Sequence, residues 1–222
     1  MYIENIVNEV CEKILSEAMR FEFSFSKLIE IGHTGDFGKM IDYCKEMLGP
    51  DIGTGSSRMV FQIDDEKCLK LAINRKGIVQ NELEFNNYND KHINHLFPRV
   101  ISELSDDENF YYIVSEYVLP AEKRDFEPII GVDYETFSYL ILCASGFMPR
   151  FELSEDDKEL VYNNPYSDFM ADVLSYSTNY NVHPQEITRI QNIGLCQRNG
   201  ECQLVLLDNG VNEEIMNKYY RK

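Results

Sequence analysis

The sequence predicts an α+β fold, with a small antiparallel sheet set between helical segments. Three observations carry this. Apolar residues recur at helical spacing through much of residues 2–48, the period shortens to two at 57–73 and again at 99–117, and helical spacing returns at 134–144 and 166–175 ahead of a final hairpin at 194–207.

Length and composition set the limits. A chain of 222 residues with 44% hydrophobic residues can bury a sizeable core as one compact unit or two small ones. No apolar run reaches the roughly 18–20 residues of a membrane span. The opening Met1-Tyr2-Ile3-Glu4-Asn5 carries no basic stretch and no apolar core after it, so no signal peptide is expected. The formal net charge is -17. Such acidity repels nucleic-acid backbones and anionic lipid, and neither is expected as a partner. It fits a solvated acidic surface, or mimicry of DNA toward a basic protein. Six cysteines are scattered mainly through apolar contexts. Cys196 and Cys202 flank Asn199-Gly200 and could face each other as a disulfide or half a metal site. No second Cys or His pair follows, and all six read as reduced thiols of a cytoplasmic protein.

In chain order, Ile3, Ile6, Val7, Val10, Ile14 and Leu15 give residues 2–19 an amphipathic helical pattern. Phe21, Phe23 and Phe25 alternate as a short extended segment. Helices are predicted at 26–31, broken by Gly32-His33-Thr34-Gly35, and at 37–48, stopped by Gly49-Pro50. Strands are predicted at 57–63 and 67–73, joined by the polar turn Asp64-Asp65-Glu66. A helix follows at 78–94, then strands at 99–104 and 110–117, with Leu119-Pro120 closing the region. The apolar run 134–144 reads as the core helix of a second part. Residues 151–165 read as acidic and irregular, and helical spacing resumes at 166–175. Strands at 194–197 and 203–207 turn at Asn199-Gly200. Tyr219-Tyr220 is expected to dock on the body.

Chemistry gathers in the sheet region. In Gly53-Thr54-Gly55-Ser56-Ser57-Arg58-Met59-Val60 two glycines let backbone amides approach a phosphate, although glycine pairs also serve simple turns. One hairpin later, Lys70 sits in Cys68-Leu69-Lys70-Leu71-Ala72. A lysine among apolar neighbours needs an anion unless strand alternation puts it in solvent. Glu82 and Glu84 on the next helix are candidate partners, and Glu84 is preferred because it shares a face with Gln80 and Tyr88. His92 and His95 have an i, i+3 spacing found at some metal sites but lack a third ligand nearby.

Taken in order, these residues resemble the protein-kinase fold. The glycine-rich turn, the strand lysine, the helix glutamate and a hinge-like Glu116-Tyr117-Val118 follow that family's sequence. Leu206-Leu207-Asp208-Asn209-Gly210 looks like its metal-binding Asp-Phe-Gly, and residues 186–192 look like its catalytic loop. The resemblance spans about residues 49–212. It implies a two-lobed, protein-kinase-like fold with a helical extension at 1–48, a small antiparallel N-lobe at 49–120 and a truncated helical C-lobe at 121–222. It implies that Gly53, Gly55, Ser56 and Ser57 cover the phosphates of ATP. Lys70, held by Glu84, would touch the inner phosphates. The backbone near Glu116 and Val118 would meet adenine, and Asn192 and Asp208 would carry Mg2+.

Three departures bear on activity. Arg58 stands at the third glycine, where it could contact phosphate or stiffen the turn. No aspartate occupies the catalytic-base position, and Glu186 is either its counterpart or a surface residue; His183 precedes it. Only twelve residues follow Gly210, and no activation segment is expected as a protein platform. The implied protein is thus a minimal kinase of the kind bacteriophage or microbial mobile genes encode, working in the (host) cytoplasm. The alternatives are a pseudokinase that binds partner proteins without chemistry, or an acidic inhibitor mimicking nucleic acid. The N-terminal helices are expected to replace missing C-lobe support.

Overall fold

The structure is a computed structural model that describes residues 23–148, 152–198 and 200–208. The helix predicted at 2–19, Phe21, Cys11, Asn199, Asn209-Gly210 and Tyr219-Tyr220 lie outside the described residues.

Helix α1 (Phe25–Gly32) is capped by the Ser24 hydroxyl, and α2 (Phe37–Leu48) by the Asp36 carboxylate, which accepts from the Lys39 amide. Phe25 therefore begins a helix and does not extend a strand, yet its ring still enters the core, stacked on Tyr112 at 5.5 Å between centroids. An antiparallel sheet follows in the order β1-β2-β3-β4, from β1 (Gly53–Thr54), β2 (Arg58–Gln62), β3 (Lys67–Ala72) and β4 (Tyr112–Glu116). Its two-residue period separates two faces. Phe61, Leu69, Leu71, Tyr112 and Val114 share one core with Leu28, Met40, Tyr43 and Cys44 of the two helices. Helices α1 and α2 thus back this sheet; the expectation that they support the C-terminal half is corrected for residues 25–48.

The opposite face carries Lys70 and meets α3 (Arg75–Asn89). The Asn74 side chain accepts from the Lys76 and Gly77 amides, starting α3 three residues ahead of the predicted 78. Gly77 makes this packing possible: a Cβ there would fall on the Ser57 carbonyl oxygen and lie 2.9 Å from Ala72 Cα.

The predicted strand at 99–104 is corrected. After Pro98, only Val100 bridges to Ser115, and Ser102–Leu104 closes into a 3₁₀ turn. A second, three-stranded sheet has the order β5-β6-β7, from β5 (Leu119–Pro120), β6 (Ile193–Arg198) and β7 (Glu201–Leu206). Gly200 takes φ +84° in the tight β6–β7 turn. Cys196 pairs with Gln203, and Gln197 with Cys202. The two thiols therefore point to opposite faces, one buried and one exposed, and both are free.

Around this sheet pack α4 (Phe126–Ile130), α5 (Tyr134–Ala144), α6 (Glu155–Tyr162), α7 (Phe169–Asn179) and α8 (Pro184–Ile187). Their core includes Phe126, Phe137, Ile141, Met170, Val173, Tyr176 and Leu206. Helix α6 corrects the irregular reading of 151–165. A Ser154–Asp157 capping box starts it, and Val161 anchors it in the core. No described helix is long and apolar enough to cross a membrane.

The two cores meet at a few polar ties. Asn87 of α3 donates to the Tyr176 hydroxyl at 2.9 Å. Lys70 of β3 donates to the Leu207 carbonyl at 3.0 Å. Between β4 and β5 the chain crosses from one sheet to the other through Tyr117 and Val118 alone.

Candidate functional site

A cleft of about 420 Å³ lies where the two sheets meet, a size ordinary for small-molecule sites. Its upper wall is residues 52–58 with Val60, Cys68 and Lys70. Its back is Glu116, Tyr117, Val118 and Pro120, and its lower wall is Gln191, Asn192, Leu207 and Asp208.

The glycine-bearing turn is pinned from several directions. Gly53 and Thr54 pair with Val60 and Met59, and the Gly55 amide donates to the Arg58 carbonyl at 2.9 Å. On its far side, Asn74 Nδ2 donates to the Ser56 carbonyl at 3.0 Å, the Ile73 amide to the Ser57 carbonyl at 2.9 Å, and the Ser57 hydroxyl to Gln80. The turn and the start of α3 consequently hold one another in place.

Lys70 faces Val60 on one neighbouring strand and Ile113 on the other. Its ammonium pairs with Glu84 Oε1 and donates to the Leu207 carbonyl at 3.0 Å. Arg58 completes the cluster. One terminal nitrogen donates to Glu84 Oε2 at 2.6 Å, and the other meets Asp208 Oδ1 at 3.3 Å. Burial alone would raise the Glu84 carboxyl, but the adjacent charges of Lys70 and Arg58, with their hydrogen bonds, outweigh it and hold Glu84 below the usual carboxylate range. Burial also raises the neighbouring Cys68 thiol, an effect that the Lys70 charge opposes. Cys68 is therefore a protonated part of the upper wall.

At the back of the cleft, the Glu116 amide donates to the Arg99 carbonyl at 2.8 Å, and its carboxylate accepts from the Arg99 amide at 3.2 Å. Arg198 approaches that carboxylate at 3.5 Å. On the lower wall, Asn192 donates its amide nitrogen to the Glu186 carbonyl at 2.7 Å, which leaves Oδ1 as its acceptor. Asp208, with a side chain 40% exposed, brings a carboxylate beside it. Two oxygen donors suit Mg2+ that takes its other ligands from phosphates and water. They do not form a cage, and no group of three acidic, His or Cys residues able to hold a metal occurs among the described residues.

The structure thus brings Gly53, Gly55, Ser56, Ser57, Arg58, Lys70, Glu116, Val118, Asn192 and Asp208 to one cleft. Glu84 lies behind it, while Glu82 is exposed. Glu186 is outside the lining; it sits on α8 with its carboxylate on Arg189 at 3.0 Å. His95 pairs with Asp172 at 2.9 Å.

Sequence reasoning missed Asn81. It receives Arg58 at 3.5 Å and donates to the Lys70 and Phe110 carbonyls at 3.3 and 3.0 Å. A signal was present, because Gln80, Asn81, Glu84 and Asn87 repeat at helical spacing and all are buried. A helix that turns a polar stripe inward is serving a polar site. No protein-family model matches the chain, and no curated protein matches it significantly.

Proposed function

We propose that this chain binds ATP in the cleft and transfers the terminal phosphoryl group to a hydroxyl acceptor, on a protein or a small molecule, as a minimal protein-kinase-like enzyme. The observation that carries this reading is the convergence of five separate segments on one cleft: the glycine turn, the Lys70–Glu84 pair, the 116–118 crossing, Asn192 and Asp208. Each segment matches in order a part of the phosphoryl-transfer machinery.

In this reading the adenine edge meets the backbone of Glu116 and Val118. The Glu116 amide is already committed to Arg99, so its carbonyl is the group offered there. The turn at 53–57 lies over the phosphates, with the Gly55 amide held inside the turn by the Arg58 carbonyl, and Lys70, fixed by Glu84, neutralises the inner ones. Asn192 and Asp208 would hold Mg2+, which would supply charge neutralisation for the phosphates. Transfer rests on positioning and on stabilising charge as it moves to the leaving oxygen. As the acceptor oxygen bonds to phosphorus, its proton passes to a base, and the bridging oxygen departs with the diphosphate. Glu186 would take the role of base: its backbone carbonyl is tied to Asn192 of the lower wall, and its carboxylate would have to leave Arg189 and turn toward the cleft.

Calorimetric titration of ATP, with and without Mg2+, into wild type and Lys70→Ala tests the reading. Saturable binding lost in the variant supports it; no binding to wild type ends it. One observation favours a second reading. The Glu186 carboxylate is held by Arg189 outside the cleft lining, as expected of a pseudokinase that binds nucleotide or partner proteins without transfer. Phosphoryl transfer that depends on Lys70 and Glu186 would exclude it.

A further inference from the structure

We propose that Arg58 is a built-in counter-cation of the cleft, so that a nucleoside triphosphate binds here without a divalent metal ion. The inference rests on the nucleotide reading above and concerns how the phosphate charge is met.

The cluster holds two cations, Lys70 and Arg58, and two carboxylates, Glu84 and Asp208, and the four groups are already mutually paired. Arg58 immediately follows the turn that would cover the phosphates. It lines the cleft between α3 and the lower wall, touching one carboxylate on each side. The guanidinium therefore already supplies positive charge at the Asp208 carboxylate, the charge a divalent ion would supply there. A divalent ion bound at Asp208 Oδ1 would have to displace a guanidinium now 3.3 Å away, or sit beside it against like charge. An arriving phosphate meets the opposite situation. It is attracted to a guanidinium whose planar fork matches two phosphate oxygens.

The two contacts of Arg58 also differ in firmness. The bond to Glu84 is short and buried, with the carboxylate side chain 1% exposed, whereas Asp208 is 40% exposed. The buried contact anchors the guanidinium, and the half-exposed one can be shared with or yielded to a ligand. An ordinary turn-stiffening role would require neither contact.

The test is calorimetric titration of ATP into wild type, Arg58→Gln and Arg58→Lys, in excess EDTA and in Mg2+. Wild type is expected to bind in EDTA within about threefold of its affinity in Mg2+, and Arg58→Gln to lose at least about tenfold in EDTA while keeping most of its binding in Mg2+. Arg58→Lys, which keeps the charge but not the fork, is expected between the two. Glu84 retains Lys70 in these variants, and melting curves check that each is folded. Wild-type binding that vanishes in EDTA overturns the proposal and leaves the nucleotide reading intact. Arg58→Gln that binds like wild type in EDTA also overturns it. Absence of binding to wild type under both conditions overturns both.

Discussion

Arg58 and Glu84, separated by 26 residues, meet in a hydrogen bond of 2.6 Å, and Lys70 grips the other oxygen of the same carboxylate. One buried anion therefore organises two cations from neighbouring strands. The arrangement explains how a lysine and an arginine lie on an inward face of a sheet.

Glu84→Gln should destabilise the fold by about 3 kcal/mol, because it leaves nearly buried Lys70 without a carboxylate and Arg58 with only half-exposed Asp208. Urea unfolding measures this. A loss below about 1 kcal/mol would mean that the pair is solvated in solution.

The acid limb of stability provides a second test. The folded-state Glu84 carboxyl lies below its ordinary value of 4.5, so its contribution is complete above that pH and is lost as pH falls through the folded value. The stability gap between wild type and Glu84→Gln should accordingly shrink below pH 4.5 and stay constant above it. A gap that widens on acidification would contradict the assignment.

Gly77→Ala tests the contact between α3 and the glycine turn. In an exposed helix this change stabilises by up to about 1 kcal/mol. Here the new methyl would fall on the Ser57 carbonyl, and a destabilisation of about 1–3 kcal/mol is expected instead. ATP affinity should fall with it if the turn covers the phosphates. The sign of the stability change, read from thermal melts, decides the point.

Asp208→Ala should reduce any metal-dependent phosphoryl transfer by roughly 10²-fold or more while leaving the fold intact. Radiolabel transfer from ATP, measured across Mg2+ concentrations, checks this. Unchanged turnover would remove Asp208 from the site.

Ser154→Ala should cost about 1 kcal/mol by removing the α6 cap. Chemical denaturation detects it, and no change would return this segment to the irregular reading.

Much of the fold was legible where period and punctuation agreed. Residues 37–48 and 134–144 carry helical spacing and form helices with the predicted bounds, and the structure adds Asp36 and Asp133 as their caps. The β2–β3 and β6–β7 hairpins follow from alternation and polar turns. Failures came where the two signals parted. Residues 155–162 looked too acidic for order, but acids in a first helical turn meet the favourable end of its dipole. Residues 99–104 alternate like a strand, but they find only one bridging partner on β4. In the site, the pairing of Lys70 with Glu84 could be anticipated from strand-to-helix order. The Arg58–Asp208 contact could not, because it joins residues 150 apart through the packing of two cores.

That separation also bears on biosynthesis. The four-stranded sheet and its backing helices use no described residue beyond Glu116, and the upper half of the site can take shape while the rest of the chain is still being made. Asn192 and Asp208 leave the ribosome several seconds after Glu116, at about 5–20 residues per second. Until then two cations share the single carboxylate of Glu84, an excess of positive charge within an otherwise acidic polypeptide. The arrival of Asp208 then gives Arg58 its second carboxylate.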